Sequence, residues 1–557
     1  ITQSGAVTAA SLAVAGTGAG SLNFGTQANS IATLNAITAA GGFALNNGNN
    51  STTLAGNLST TNSAVSIDTG TGTYTQNANI DVAAGSGPIT ITADTVAIAA
   101  NTGNNALATS GVLTLKAKTA SRAMSLAGAA GFDLSAAELT AIATGATGSI
   151  VIGDTASTGV MTIGGAVGLA GKTLTLNAGS ITDTGVQSIT AQNVSLKANG
   201  QIGTDASNGI DVAATNLSVN TTGNANAFVR STGAINLGAV GTASNVGSGT
   251  LDLVAAGAVT QTAGTGNITA GALNVKTLVN AGGAITLNNT GNANTAINLQ
   301  SRNAADTANA AGAIQYSAAG GYNVAGIATT ANATLSAGGA VSQSGAIAAA
   351  GLALTGASGA YTLAHAGNAV TTLAANTGSV DYKQAGALTV GTVGATTGVT
   401  ATGTVKIETT GAASNLTLNN AVSSSATGDA VVLKAGSSNA AGVSTGGQFI
   451  NNVGAGGITA ASGRYLVYSG DPGTTLEGMA GYSKRYNSDA SYVPGGSAST
   501  FLYRIAPTLT VTADNKTKVY GDSNPLLTGV VSGLIDGDTA AGVGVSYATT
   551  AVDRTAV

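Results

Sequence analysis

No cysteine occurs anywhere in the 557 residues, which removes disulfides and thiolate metal sites together. A chain without thiols also suits passage through an oxidising periplasm, where stray cysteines mispair. Tryptophan is absent and histidine occurs once, so a zinc site has at most one imidazole to draw on. Charge is scarce too. The 18 basic and 22 acidic residues leave a formal net charge of -4 and no basic stripe of the kind that holds nucleic acid. No run approaches the ~20 consecutive apolar residues of a membrane-spanning helix. No basic segment followed by an apolar stretch opens the chain at Ile1, so it reads as an internal piece without a visible export signal of its own. Low charge argues against disorder as well. Disordered chains of low hydrophobicity are rich in charge, whereas here Val, Ile and Thr abound and the mean hydropathy is +0.29.

What is present is glycine, 82 of them, and a short apolar-x-apolar run that keeps returning. Leu113-Thr114-Leu115, Leu174-Thr175-Leu176, Val194-Ser195-Leu196, Leu217-Ser218-Val219, Ile235-Asn236-Leu237, Leu251-Asp252-Leu253, Leu273-Asn274-Val275, Ile285-Thr286-Leu287 and Leu416-Thr417-Leu418 each read as one short strand. Between 174 and 273 the starts lie 20, 23, 18, 16 and 22 residues apart, with Gly, Asn, Ser and Ala-Gly clusters in the gaps. A strand every twenty or so residues with no helical period between them predicts a β-solenoid. Alternate side chains would stack on their equivalents one coil away at ~4.8 Å, with Gly and Ala at the corners and Thr, Ser, Asn and Lys outward. Lys116, Lys197 and Lys434 are expected to be solvated. A longer repeat sits above the coil: the segment from Thr2 to Val14 returns as Ser342 to Leu354, with weaker copies opening at Ile181 and Val259. Growth by whole coils suits an architecture in which each unit touches only its neighbours. One segment, Phe132 to Ile142, has mixed spacing and is the place where a short helical turn is expected.

Composition shifts at Gly463. The 94 residues from Arg464 onward carry 15 charges against 25 in the 463 before, together with 8 of the 13 Tyr and 4 of the 5 Pro. This predicts three regions: a β-helix repeat domain over 1–463, a Tyr- and Pro-containing cover for the last coil over 464–506, and a small β-rich module over 507–557. A cover is needed because an open terminal coil presents unpaired strand edges.

Enzymes that cleave polysaccharides also use parallel β-helices, so the acids have to be weighed. A glycoside hydrolase needs two carboxylates across the scissile bond, and a lyase needs acids for calcium beside a base. Residues 1–463 contain fourteen: Asp68, Asp81, Asp94, Asp133, Glu138, Asp154, Asp183, Asp205, Asp211, Asp252, Asp306, Asp381, Glu408 and Asp429. Most stand alone. Asp133 with Glu138 and Asp205 with Asp211 are close in sequence, and each reads as loop decoration. His365 has no imidazole or thiol partner, and Asp536-Gly537-Asp538 reads as a polar turn rather than a cation site. No catalytic, cofactor-binding or metal-binding residue is expected, and no cofactor.

The segment Val194-Ser195-Leu196-Lys197-Ala198-Asn199-Gly200-Gln201-Ile202-Gly203-Thr204, with Ile210-Asp211-Val212 and Asn216-Leu217-Ser218-Val219, resembles the repeats of filamentous haemagglutinin-like exoproteins. Residues 509–528, with Tyr520-Gly521-Asp522-Ser523-Asn524-Pro525 at their centre, followed by Val531-Ser532-Gly533-Leu534, Gly537-Asp538 and Tyr547, resemble the opening of an MBG or YDG-type module. The resemblance implies a shaft that continues into a string of small β modules, exported across the outer membrane of a Gram-negative bacterium through a two-partner secretion pore. The expectation is therefore an all-β chain: a right-handed parallel β-helix of roughly 20 coils and ~100 Å, followed by an incomplete module. Its expected role is that of an extracellular, cell-surface adhesin stalk that is not an enzyme, with host glycans or proteins as partners and neither nucleic acid nor a transmembrane segment. The alternatives are a carbohydrate-active β-helix enzyme, lyase or hydrolase, and a structural biofilm or surface-layer protein.

Overall fold

The structure, a computed structural model, describes residues 1–14, 20–128, 132–238, 240–443, 445–535 and 537–551. It is a β-solenoid of parallel stacked coils, about 18 turns in all, followed by a small C-terminal module. The chain divides into two compact units, Ile1–Ala349 and Ala350–Val557, a division that has no counterpart in the single repeat domain read over 1–463.

In the first unit, nine consecutive strands stack in parallel register through one inward residue each: Leu22, Phe43, Val65, Ile89, Leu113, Ile150, Leu174, Val194 and Leu217. All nine are buried. A second inward row runs two residues further along each strand, through Leu45, Ile67, Ile91, Leu115, Ile152, Leu176, Leu196 and Val219. The residue between the two rows points outward, which is why apolar-x-apolar is the unit of the sequence. Each buried Leu or Ile contributes roughly 1.5–3 kcal/mol of hydrophobic stabilisation. All nine runs picked out above lie in strands with both apolar residues buried.

Coil length along this face is 20 to 24 residues with one exception, the 37 from Leu113 to Ile150. That long coil holds the only helix among the described residues, Ala136–Ala143. Ser135 and Glu138 form a reciprocal capping box at its start, and Leu139, Ala141 and Ile142 bury its inner face. The helix begins inside the segment expected to depart from the pattern and ends one residue beyond it, and its cap was there to be read in Ser135-Ala136-Ala137-Glu138.

Corners use asparagine as well as glycine. Asn62, Asn79 and Asn224 adopt positive φ, and each side-chain oxygen accepts a backbone N–H from the next coil, from Ser86 at 3.0 Å, Thr102 at 3.0 Å and Ser248 at 3.2 Å. Asn tolerates the left-handed region, so one residue makes the bend and braces it. Gly70 shows where only glycine fits. Its φ is +61°, and a Cβ there would sit 1.9 Å from the Gly48 carbonyl oxygen one coil below.

The interior also holds paired polar groups. Tyr74 and Tyr382 are fully buried, and each phenol donates to the glutamine two residues on, Gln76 and Gln384, at 2.8 Å. Burial raises both phenol pKa values. On the outside of the first unit, Thr173, Asn193, Asn216 and Asn236 share one register column. Their amides chain together, Asn193 to Thr173 at 2.8 Å, Asn216 to Asn193 at 2.7 Å and Asn236 to Asn216 at 3.1 Å. Such an amide ladder pins the register of four coils.

In the second unit the strands Ala369–Gln384, Val405–Thr409, Val422–Lys434 and Ile458–Ser469 stack in the same way. Position 463 lies in the middle of the last of these, so the compositional shift does not mark the end of the stack. The strand Thr500–Tyr503 continues it, pairing with Leu466 to Ser469. Ser483–Arg485 then covers the outer edge of Thr500–Tyr503. This final edge is three residues long and carries Lys484 and Arg485, a form that resists edge-to-edge pairing. Two buried arginines explain part of the rise in charge. Arg464 pairs with Asp429 at 2.6 Å and donates to the carbonyls of Pro494 and Gly496, and Arg504 donates to the carbonyl of Ala435 at 2.9 Å. The tyrosines pack against Phe501, with Tyr482 at 4.5 Å between ring centroids and Tyr465 at 6.1 Å.

Beyond residue 507, Thr510–Ala513 and Gly529–Ser532 form an antiparallel pair. Val519, Tyr520, Leu526 and Val530 around it are exposed.

Candidate functional site: a walled groove on the first unit

Most of the acids are braces between coils. Asp68 takes Lys118 at 2.8 Å, Asp81 the amide of Asn101 at 2.6 Å, Asp94 the backbone N–H of Thr119 at 2.7 Å, and Asp154 takes Lys116 at 2.8 Å. In the second unit Asp381 meets Lys406 at 3.3 Å and Glu408 meets Lys383 at 3.6 Å, opposite charges in neighbouring register. Glu138 serves the helix cap, and its other oxygen accepts the Ile98 N–H at 2.9 Å. Asp133 is held above the usual carboxylate range by burial, with the Glu138 charge adding to it. Asp205 organises a turn by accepting from the backbone of Ser207 and Asn208.

The structure brings together one pair that sequence spacing did not single out. Asp183 and Asp211 lie on neighbouring coils. Burial raises both pKa values, and Asp211 also feels the Asp183 charge, while Arg230, 3.7 Å from Asp211, pulls the other way. The signal was there in a 28-residue separation, a little over one coil. His365 stands in a turn where its Nδ1 accepts the Gly367 N–H at 3.0 Å. Lys434 is not the solvated lysine expected. Its amine donates to the Ala490 carbonyl at 2.8 Å and lies 4.9 Å from the Tyr468 ring centre, and burial lowers its pKa. Of Asp536-Gly537-Asp538, Asp536 lies outside the described residues, and Asp538 bonds Lys484 at 3.3 Å and the Tyr486 hydroxyl at 2.7 Å. Among the described residues no three acids or histidines come close enough to hold a metal ion.

A polar groove of about 390 Å³ lies on the first unit. Its floor is the outward face of four stacked strands, Ala227–Ser231, Thr250–Ala255, Ile268–Leu278 and Ala293–Arg302. One register column on this floor runs Arg230, Val254, Lys276, Gln300, and the column beside it runs Phe228, Asp252, Asn274, Asn298. Asp252 is half-buried, desolvation raises its pKa, and one oxygen accepts from the Asn274 amide at 3.1 Å.

Each end of the groove is walled by a loop that the floor itself holds down. At one end Ile202 faces Ala227 and Ile210 faces Val229, so the seven residues 203–209 stand opposite Phe228 alone and must bulge outward. Gly203 and Gly209 in this bulge pack so tightly on Phe228 that a Cβ at either would come within 3.0 Å of it. Arg230 donates to the Ser207 carbonyl at 3.2 Å and ties the bulge to the floor. At the other end the loop 303–308 is fixed through Asp306, which takes Lys276 at 2.7 Å and Arg302 at 2.9 Å. Lys276 first and Arg302 after it hold the Asp306 carboxyl below its usual range.

No helix among the described residues is long and apolar enough to cross a membrane. No curated protein and no solved structure matches the chain. Residues 509–557 match a family described as MBG domain (YGX type), and a β-solenoid that leads into such a domain fits a surface adhesin-like protein.

Proposed function

We propose that this chain is the stalk of a cell-surface exoprotein of a Gram-negative bacterium, secreted through a two-partner pore, which carries MBG-type modules away from the cell and attaches along its flanks to glycans or proteins. The observation that supports this most is the order of parts: a solenoid whose coils brace one another, a covered last coil, then residues 509–557 that match an MBG domain. Chemistry is absent from the reading. Most of the acids brace coils, cap the helix or hold turns, and the Asp183 and Asp211 pair faces Arg230. Incubation with pectins, alginates and glycosaminoglycans, with and without calcium, should give no cleavage products. Turnover lost on replacing Asp183 or Asp211 would make the chain a β-helix enzyme instead.

The surface role is tested on intact cells of the native bacterium with an antibody to residues 1–349. Labelling before lysis, together with weaker attachment of a deletion strain to host cells, is expected. Labelling only after lysis would sink the surface reading, and undiminished attachment by the deletion strain would leave a structural matrix role.

A further inference from the structure

We propose that the walled groove on the first unit binds a short neutral oligosaccharide laid along the solenoid axis, an inference that rests on the attachment role above and gives it a site. Three features of the floor lead to it. The first is hydrogen-bonding capacity left over after folding. In the amide ladder at Asn193, Asn216 and Asn236 the side chains satisfy one another from coil to coil. In the groove they do not. Gln300 donates to Asn298 Oδ1 at 2.9 Å and Asn274 donates to Asp252, which leaves Asn298 Nδ2 as a donor and Asn274 Oδ1, Gln300 Oε1 and the second Asp252 oxygen as acceptors with no protein partner. A sugar hydroxyl both donates and accepts, and so matches a floor that mixes the two. Val254, half-buried between Arg230 and Lys276 in its column, offers an apolar step for the C–H face of a ring.

The second feature is charge. The groove contains two cations, but both are committed. Arg230 holds the 203–209 bulge and Asp211, and Lys276 holds Asp306. An anionic ligand would have to pull them from the loops that form the walls, whereas a neutral one leaves the walls in place. The third is length. From Arg230 to Gln300 there are three coil steps, roughly 14 Å at ~4.8 Å each, and one step is about the length of an extended β-linked sugar unit. About three units fit between the walls, and their hydroxyls would repeat in phase with the residues beneath. The volume of about 390 Å³ lies within the range of ordinary ligand sites.

The test uses the whole purified chain with cellotriose and chitotriose as neutral probes and trigalacturonate as the acidic one, followed by saturation-transfer NMR and titration calorimetry. Binding of a neutral trisaccharide is expected, weakened at least tenfold in the double variant Asn274→Ala, Asn298→Ala and in Val254→Arg, which fills the groove from a different column. Thr90→Ala, outward on another face, should bind as the parent does, and thermal unfolding of every variant should match the parent. Preference for trigalacturonate would overturn the ligand class. No saccharide binding, or neutral binding untouched by both groove variants, would overturn the site, and neither result would bear on whether antibody labels intact cells.

Discussion

Leu196 is fully buried and stacked between Leu176 on one coil and Val219 on the next, so Leu196→Ala isolates the contribution of one rung. The change removes three carbons. At ~0.8 kcal/mol per buried CH₂ the transfer loss alone is about 2.4 kcal/mol. A cavity that cannot collapse takes such substitutions toward ~5 kcal/mol, and this cavity has strands hydrogen-bonded above and below that resist closing. Because each coil contacts only its neighbours, the loss should stay local. Hydrogen exchange read by mass spectrometry should show protection falling by between about 50-fold and a few thousand-fold in the strands Val167–Ala178, Ser188–Ala198 and Asn216–Thr221. The strands Ile89–Thr92 and Ile285–Leu287, further along the stack, should keep theirs. Equal loss in every strand would show that the unit unfolds as one block and refute the nearest-neighbour reasoning. No loss anywhere would mean that Leu196 is not interior.

Gly70→Ala should prevent the coil around it from closing, because a positive φ is combined with a 1.9 Å clash against backbone, whereas Gly394→Ala, at φ +60° in open space, should cost only ~1 kcal/mol; paired thermal melts compare the two. The Asp306 carboxyl is held below its usual range, so the stabilisation it gives is complete above the ordinary carboxylate pKa and disappears as pH falls through the lowered one. Limited proteolysis at 303–308 should therefore accelerate only on acidification, and Asp306→Asn should show the acid pattern at neutral pH. A chain ending at Gly463 loses half of the strand Ile458–Ser469 and all of Thr500–Tyr503, uncovers Leu433 and Phe449, and should aggregate where one ending at Ala506 stays dispersed in light scattering. Residues 507–557 alone, a two-stranded pair with exposed Val519, Tyr520, Leu526 and Val530, should give no cooperative melt by circular dichroism.

The coil was legible because one local rule, an outward residue between two inward ones, recurs on most strands of the stack. Spacing alone was less informative. The step of 18 residues into Ile235 is a register offset within one stack, since Leu237 lies on Leu217, whereas the step of 16 out of it is a move between faces, since Leu251 stacks on Ala227. Periodicity places a residue inside or outside and does not say on which face of the coil its strand lies. The helix was visible as a break in pattern, and Ser135 with Glu138 would have fixed its start. The groove was not legible. Its floor is assembled from residues about one coil apart whose alignment depends on register, and its first wall exists because the seven residues 203–209 stand opposite one, Phe228. Lys434 misled because a lysine at an outward position is solvated only when nothing folds over it, and here Ala490 does. The acids looked isolated in sequence because their partners lie a coil or more away, as Asp68 and Lys118 do.

The parallel stack itself is open to one direct measurement, made simple by the absence of cysteine. Asn23, Ala44, Ser66, Thr90, Thr114, Val151 and Thr175 follow one another in a single register column, one per coil. Cysteines introduced in pairs at Thr114 and Thr175, Ser66 and Thr175, and Asn23 and Thr175 carry spin labels two, four and six coils apart. Dipolar spectroscopy should return mean separations that climb in even steps, about 10, 19 and 29 Å at ~4.8 Å per coil, each with a narrow spread. Separations that fail to rise with coil number, or broad distributions at the same positions, would contradict the stacked solenoid and everything built on its register.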